Sequence, residues 1–480
     1  MHILDISIMI LYFSVLIIVG VIGSKRAKTA DDFIVAGRNL GHFMYLSCLA
    51  AVILGGASTL GTAKLGYQFG ISGIWLVVMI GLGIIAIGLF LTNKIFNLKV
   101  LTISEMLEKR YNSQTRLISA LVSVIYTFML TVTQVIGMGT ILHVLAGWNL
   151  TVSMIVGGGI VLFYTILGGM WSVTMTDVVQ FVIMTIGIFF IMLPMSISKA
   201  GGWGSLKENL PASHFELGNI GGETIFQYFL LFTLGVVVGQ DIWQRLFTAR
   251  TKAVSRGGTV GAGLYSVFYA IAISIIGMCA FIILPDLGDP QNAFTSIAME
   301  TLPVGLLGVV IASVVSALMS TASGTLLASS TLVVNDIIKK YIGPKMSERQ
   351  FLKTSRITTL TIGVLTIIVS IWIQDILVAL DVAYAILSGA VFFPIILGFF
   401  WKRVTATAAF YSILASMIVI IVGLVINGPS STQPILYGLA TSFVVITTIT
   451  LLSSNNDHKN ESEVKQDIKG KADMDTMANY

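Results

Sequence analysis

Runs of about twenty apolar residues recur along the whole chain, at approximately 3–23, 42–69, 73–93, 118–146, 151–171, 175–198, 223–244, 258–284, 303–335, 357–374, 378–400, 404–427 and 435–453. Wound as a helix, a run of that length spans the hydrocarbon of a bilayer. Open strands cannot satisfy their backbone in lipid, so the runs must be helices. The chain is therefore expected to be an all-α integral membrane protein with about 13 transmembrane helices. Charged residues make up 11% of it, against roughly a quarter in soluble domains. The first run lacks a basic start and a small-residue cleavage site, and reads as a retained span rather than a signal peptide.

Basic residues orient these spans. With the N-terminus outside, 25 of the 28 Lys and Arg fall on inner segments, Lys199 and Lys207 lie outside, and Lys64 alone sits within a span. So one-sided a distribution follows the positive-inside rule. It predicts a multi-pass protein of the cell membrane with a cytoplasmic C-terminus. The net charge of +5 then reflects topology, and no nucleic-acid partner is expected. Residues 454–480 are polar and mixed in charge, and read as a disordered cytoplasmic tail. Cys48 and Cys279 stand singly in apolar runs, which points to neither a disulfide framework nor a metal site. No H-E-x-x-H, G-x-S-x-G or G-x-x-x-x-G-K-[ST] motif occurs, so neither an enzyme nor a nucleotide-driven pump is expected.

Polar groups inside spans mark function. In the ninth run, "SALMSTASGTLLASST" (316–331), Ser313, Ser316, Ser320 and Ser323 follow at steps of 3, 4 and 3, one face of a helix, with Thr321 on its flank. Helix–helix packing uses such residues too. The second run, "CLAAVILGGASTLGTAKLGY" (48–67), holds Gly55-Gly56 near mid-membrane. Each glycine weakens a helix by about 1 kcal/mol relative to alanine. A helix unwound there leaves carbonyls free, which lipid tolerates only beside a cavity or an ion. A broken helix facing a hydroxyl stripe offers an all-oxygen cage for a hard cation. Lys64 reads as a snorkelling residue, a gate, or a contact for an anionic group. Asp177 reads as a helix cap, and Asp241 as an i,i+4 partner of Arg245. Gln134 and Tyr384 read as interhelical hydrogen-bonding groups, and His143 carries no functional expectation.

Three stretches, "GGMWSVTMTDVVQ" (168–180), "GQDIWQRLFTAR" (239–250) and "SALMSTASGTLLASSTLVVNDI" (316–337), resemble the sodium:solute symporter family in order and spacing. The resemblance implies an inverted-repeat fold of 5+5 core helices. Residues 1–41 would form the first helix and inner loop, 42–200 the first repeat, 201–401 the second, and 402–453 two additional helices. It also implies a sodium ion, as cofactor, on the Ala51, Leu54 and Ala317 carbonyls and the Ser320 and Thr321 hydroxyls. Relatives with a second sodium use an Asp and two further hydroxyls. Here Asp177 and Ser323 fit, but Gly324 stands where a Ser is needed, so one sodium is expected. Solute contacts are expected from Gly55, Gly56, Ser58, Gln134, Gln240, Asp241 and Tyr384. Alanine and serine at 57 and 58 make a sugar less expected.

The function so implied is secondary active transport, with sodium influx driving uptake of a small organic solute by alternating access and a monomer as the working unit. Two alternatives share the fold. One is a proton-coupled carrier using Asp177 or Asp241, and the other is a solute sensor that does not transport.

Overall fold

The computed structural model describes residues 2–26, 29–166, 169–429 and 431–453. The expected tail lies outside them, as do Lys28 and Gly168. Among the described residues each of the thirteen expected runs lies mostly on helix. Among the described residues ten helices are long and apolar enough to cross a membrane, or up to eleven if the bent pair Gly222–Val237 and Gln240–Leu246 is one span. This is fewer than thirteen for local reasons. His42–Ile53 and the fifth run's Leu150–Phe163 are short, and one forty-residue helical run, Ala57–Phe96, holds the end of the second run and all of the third. Gly70 turns the chain within that run at φ +66°, and a β-carbon on Gly73 would sit 2.7 Å from the Gly66 nitrogen. Only glycines permit so tight a reversal.

The ninth span, Leu306–Ile342, is the central element. Its apolar window is 89% buried, against 22% for the first span, Ile3–Ser24. It packs on the fourth span (Ser113–Ala146), the sixth (Gly169–Lys199) and the first. Its many small side chains let neighbouring helices close round it. The last two spans, Ala406–Asn427 and Gln433–Leu452, pack on each other and on the eleventh, Ile376–Phe400. They expose large apolar side chains such as Val425 and Leu452, as the lipid-facing rim of a membrane protein does.

Two spans break in mid-course. The second stops at Ile53 and resumes at Gly56, with Leu54 at φ −93°, ψ 53°. The seventh bends by 41° between Val237 and Gln240, where Gly239 is extended. The segment before the second span and the segment after the seventh are tied together. Leu40 N–H donates to the Thr248 carbonyl at 3.0 Å, and Arg250 N–H to the Leu40 carbonyl at 3.1 Å.

Candidate ion and solute site at the broken helices

The break in the second span redistributes its hydrogen bonds. Gly56 N–H, which an unbroken helix would send to the Val52 carbonyl, donates to Gln134 Oε1 at 2.7 Å. The Val52 carbonyl accepts from Thr321 Oγ1 at 2.8 Å, and the Ile53 carbonyl from Ser58 Oγ at 2.9 Å. Among the described residues no side chain donates to the Ala51 or Leu54 carbonyls, which flank this pair. The glycine is required by closeness. A β-carbon on Gly55 would lie 2.5 Å from Thr321 Oγ1 and 2.6 Å from Gln134 Oε1.

The ninth span presents its hydroxyls in two directions. Ser313 donates to the Ile183 carbonyl at 2.9 Å, Ser316 to Tyr12 Oη at 2.9 Å and Ser320 to Asp177 Oδ1 at 2.5 Å. The serine stripe thus faces the first and sixth spans, and for Ser313 and Ser316 packing accounts for the hydroxyl. Thr321, one residue off the stripe, meets the break, and it also donates to the Ala317 carbonyl at 3.2 Å. Ser323 turns onto its own helix, donating to the Ser320 carbonyl at 3.1 Å.

Behind Ser320 lies a buried charge cluster. Asp177 is in mid-helix, not at a cap, and is fully buried. It accepts from Cys48 Sγ at 3.1 Å and faces Arg245 Nη2 at 3.6 Å. Arg245 does not pair with the Asp241 carboxylate as the i,i+4 spacing had predicted. Its Nη1 donates to the Asp241 main-chain carbonyl at 3.1 Å, and its Nε to the Cys48 carbonyl at 3.3 Å. The short second piece of the seventh span, Gln240–Leu246, carries the guanidinium toward the sixth, and a β-carbon on Gly324 would overlap it. The bend in the seventh span, invisible in helical periodicity, decides this pairing.

A narrow cavity adjoins the break, lined among others by Gly55, Ser58, Gln134, Asp241, Thr321 and Tyr384. Asp241 accepts from the Tyr126 hydroxyl at 3.0 Å, and the Tyr126 and Tyr384 rings meet edge to face at 5.2 Å. Gln240 does not join this cavity. Its Oε1 accepts from Ile103 N–H at 2.8 Å, because the helix restarting at Gln240 points that side chain away. Further along the resumed second span, Lys64 pairs with Asp375 at 2.9 Å, and Leu377 packs over Gly61. His143 Nδ1–H donates to the Trp148 carbonyl at 2.5 Å, a local bond at the end of the fourth span. Sequence reasoning passed over Arg245 as an Asp177 partner, and over Tyr126, Asp375 and Asp381. A carboxylate within an apolar run, "VALDVAYAIL", was the signal for the last.

The sodium:solute symporter family profile matches residues 33–416, four-fifths of the chain. The chain belongs to the sodium:solute symporter family. It is 25% identical to the sodium/glucose cotransporter of Vibrio parahaemolyticus, over 95% of this chain and 91% of that one. It is 25% identical to the high-affinity proline transporter PutP of Bacillus subtilis, over 91% and 96%. A solved sodium-coupled sialic acid symporter, in a substrate-bound outward-open state, superposes with a TM-score of 0.81 at 20% identity, covering 94% of this chain and 98% of that one. The fold is that of this symporter, and the chain is a multi-pass, sodium-coupled solute symporter, not an enzyme. Sodium, expected above as a cofactor, is the family's coupling ion and hence a co-substrate. At this identity the relatives' solutes do not transfer.

Proposed function

We propose that this symporter binds one sodium per cycle between the Ala51, Leu54 and Ala317 carbonyls and the Ser320 and Thr321 hydroxyls. The observation that carries the reading is Thr321 seated on the break, 2.8 Å from the Val52 carbonyl, beside two carbonyls that no side chain occupies. Five neutral oxygens suit a monovalent ion held reversibly, and among the described residues no cluster of three His, Cys, Asp or Glu offers a charged alternative. Asp177 and Ser323 do not form a second sodium site. The Arg245 guanidinium serves Asp177 as a cation already built into the protein, and Gly324 supplies room for it instead of a ligand.

The solute binds in the adjoining cavity, against Gly55, Gly56, Ser58, Gln134, Asp241 and Tyr384. Sodium joins the second and ninth spans and thereby favours one conformation, which is what coupling requires. An inward membrane potential contributes about 2.3 kcal/mol per charge per 100 mV. The two breaks lie in the first helix of each of two five-helix repeats, 42–200 and 201–401, which supports the inverted-repeat assignment. The one-sided basic loops support an outer N-terminus and a cytoplasmic C-terminus in the cell membrane. The proposed ligands all come from one chain, which supports a monomer as the working unit.

The test is sodium-driven uptake in proteoliposomes by the Ser320→Ala/Thr321→Ala double variant. We expect normal expression with sodium stimulation abolished. Sodium dependence equal to that of the native protein would overturn the ligand assignment.

A further inference from the structure

The charges around the cavity are unevenly matched. Arg245 is committed to Asp177 and to main-chain carbonyls. Lys64 is committed to Asp375. Among the described residues no cationic side chain lies within 4 Å of the Asp241 carboxylate, whose side-chain partner is the neutral Tyr126 hydroxyl. Yet Asp241 is 3% exposed and lines the cavity beside Tyr384. A buried carboxylate without a counter-charge is costly, and its retention in a membrane marks a ligand path. Asp381 stands three residues before Tyr384 on the same helix face and likewise has no ion-pair partner among the described residues. Tyrosine faces attract cations. The Asp241 carboxylate with the Tyr384 ring beside it favours positive charge, and the cavity lining offers no basic side chain to receive a carboxylate.

We infer that the co-transported solute carries a cationic nitrogen, amine or quaternary ammonium, which binds the Asp241 carboxylate with Tyr384 beside it. The inference rests on the transport reading above and adds the solute class. It excludes neutral sugars and simple organic anions.

The experiment is a thermal-shift series on the purified full-length carrier, with and without sodium, using choline, glycine betaine, putrescine, L-proline, D-glucose and acetate. We expect nitrogen cations among these probes to raise Tm in sodium. Asp241→Asn should weaken that response by at least ~30-fold in apparent Kd, while retaining the shift that sodium alone produces. Stabilisation by glucose or acetate alone, silence of every cationic probe, or an undiminished response in Asp241→Asn overturns the inference. If Asp241→Asn does not fold, the ranking of probes on the native protein decides. Cationic probes that bind equally well without sodium would strike at the ion site and leave the solute class standing.

Discussion

Arg245 reaches Asp177, 3.6 Å away, through room that exists because residue 324 is glycine. Ser320 donates to the same carboxylate at 2.5 Å. The proposed ion site is therefore bounded on the side of the sixth span by a fixed, internally neutralised charge. Removing one partner of a buried pair costs about 3–5 kcal/mol, since the other charge is left stranded.

Gly324→Ala tests that arrangement. The added methyl must displace the guanidinium, and overpacking of this kind costs about 1–3 kcal/mol. We expect a lower Tm and a weakened sodium response in thermal-shift titration. An unchanged Tm would mean that Arg245 does not occupy this space.

Gly55→Ala places a methyl within 2.5 Å of Thr321 Oγ1. It should separate the second and ninth spans and lower sodium affinity by tenfold or more, a difference of about 1.4 kcal/mol. Sodium activation of uptake measures this directly.

The two directions of the ninth-span hydroxyls predict opposite outcomes for near neighbours. Ser316→Ala loses a hydrogen bond to Tyr12 and costs about 1 kcal/mol of stability, with sodium activation unchanged. Thr321→Ala costs sodium affinity instead. Parallel melting curves and sodium titrations separate the two effects.

Lys64 and Asp375 join the second span to the start of the eleventh. Asp375 also caps the eleventh span through Oδ1, accepting from Leu377 and Val378 N–H at 2.8 and 3.0 Å. Asp375→Asn therefore keeps a cap while removing the charge, and we expect a Cys substituted at Leu377 to react faster with an impermeant maleimide in that background. Burial pushes the Asp375 carboxyl up, but the Lys64 ammonium and the two N–H donors outweigh it and hold it below its ordinary value. A lowered carboxylate pKa stabilises the paired state above the unfolded value, about 3.9, and that stabilisation is lost as pH falls through the lowered one. The pair should thus persist from neutral pH down to about 4 and open only below it, as read by the Tm of the native protein relative to Asp375→Asn across that range.

The amino-acid sequence by itself determined the helical class, the membrane setting, the positions of the spans and the weak point at Gly55-Gly56. These depend on length, apolarity and backbone freedom, which are local properties. Lysine and arginine counts likewise predicted an orientation without any contact being known. Tertiary structure alone decided which hydroxyl meets the break, because the serine stripe and Thr321 differ by one residue yet face different helices. It alone sent Arg245 to Asp177 rather than Asp241, left Asp241 facing the cavity and took Gln240 away from it. Those outcomes follow from a 41° bend in the seventh span, and partner choice across bent helices is a matter of three-dimensional distance that helical spacing along one chain does not encode.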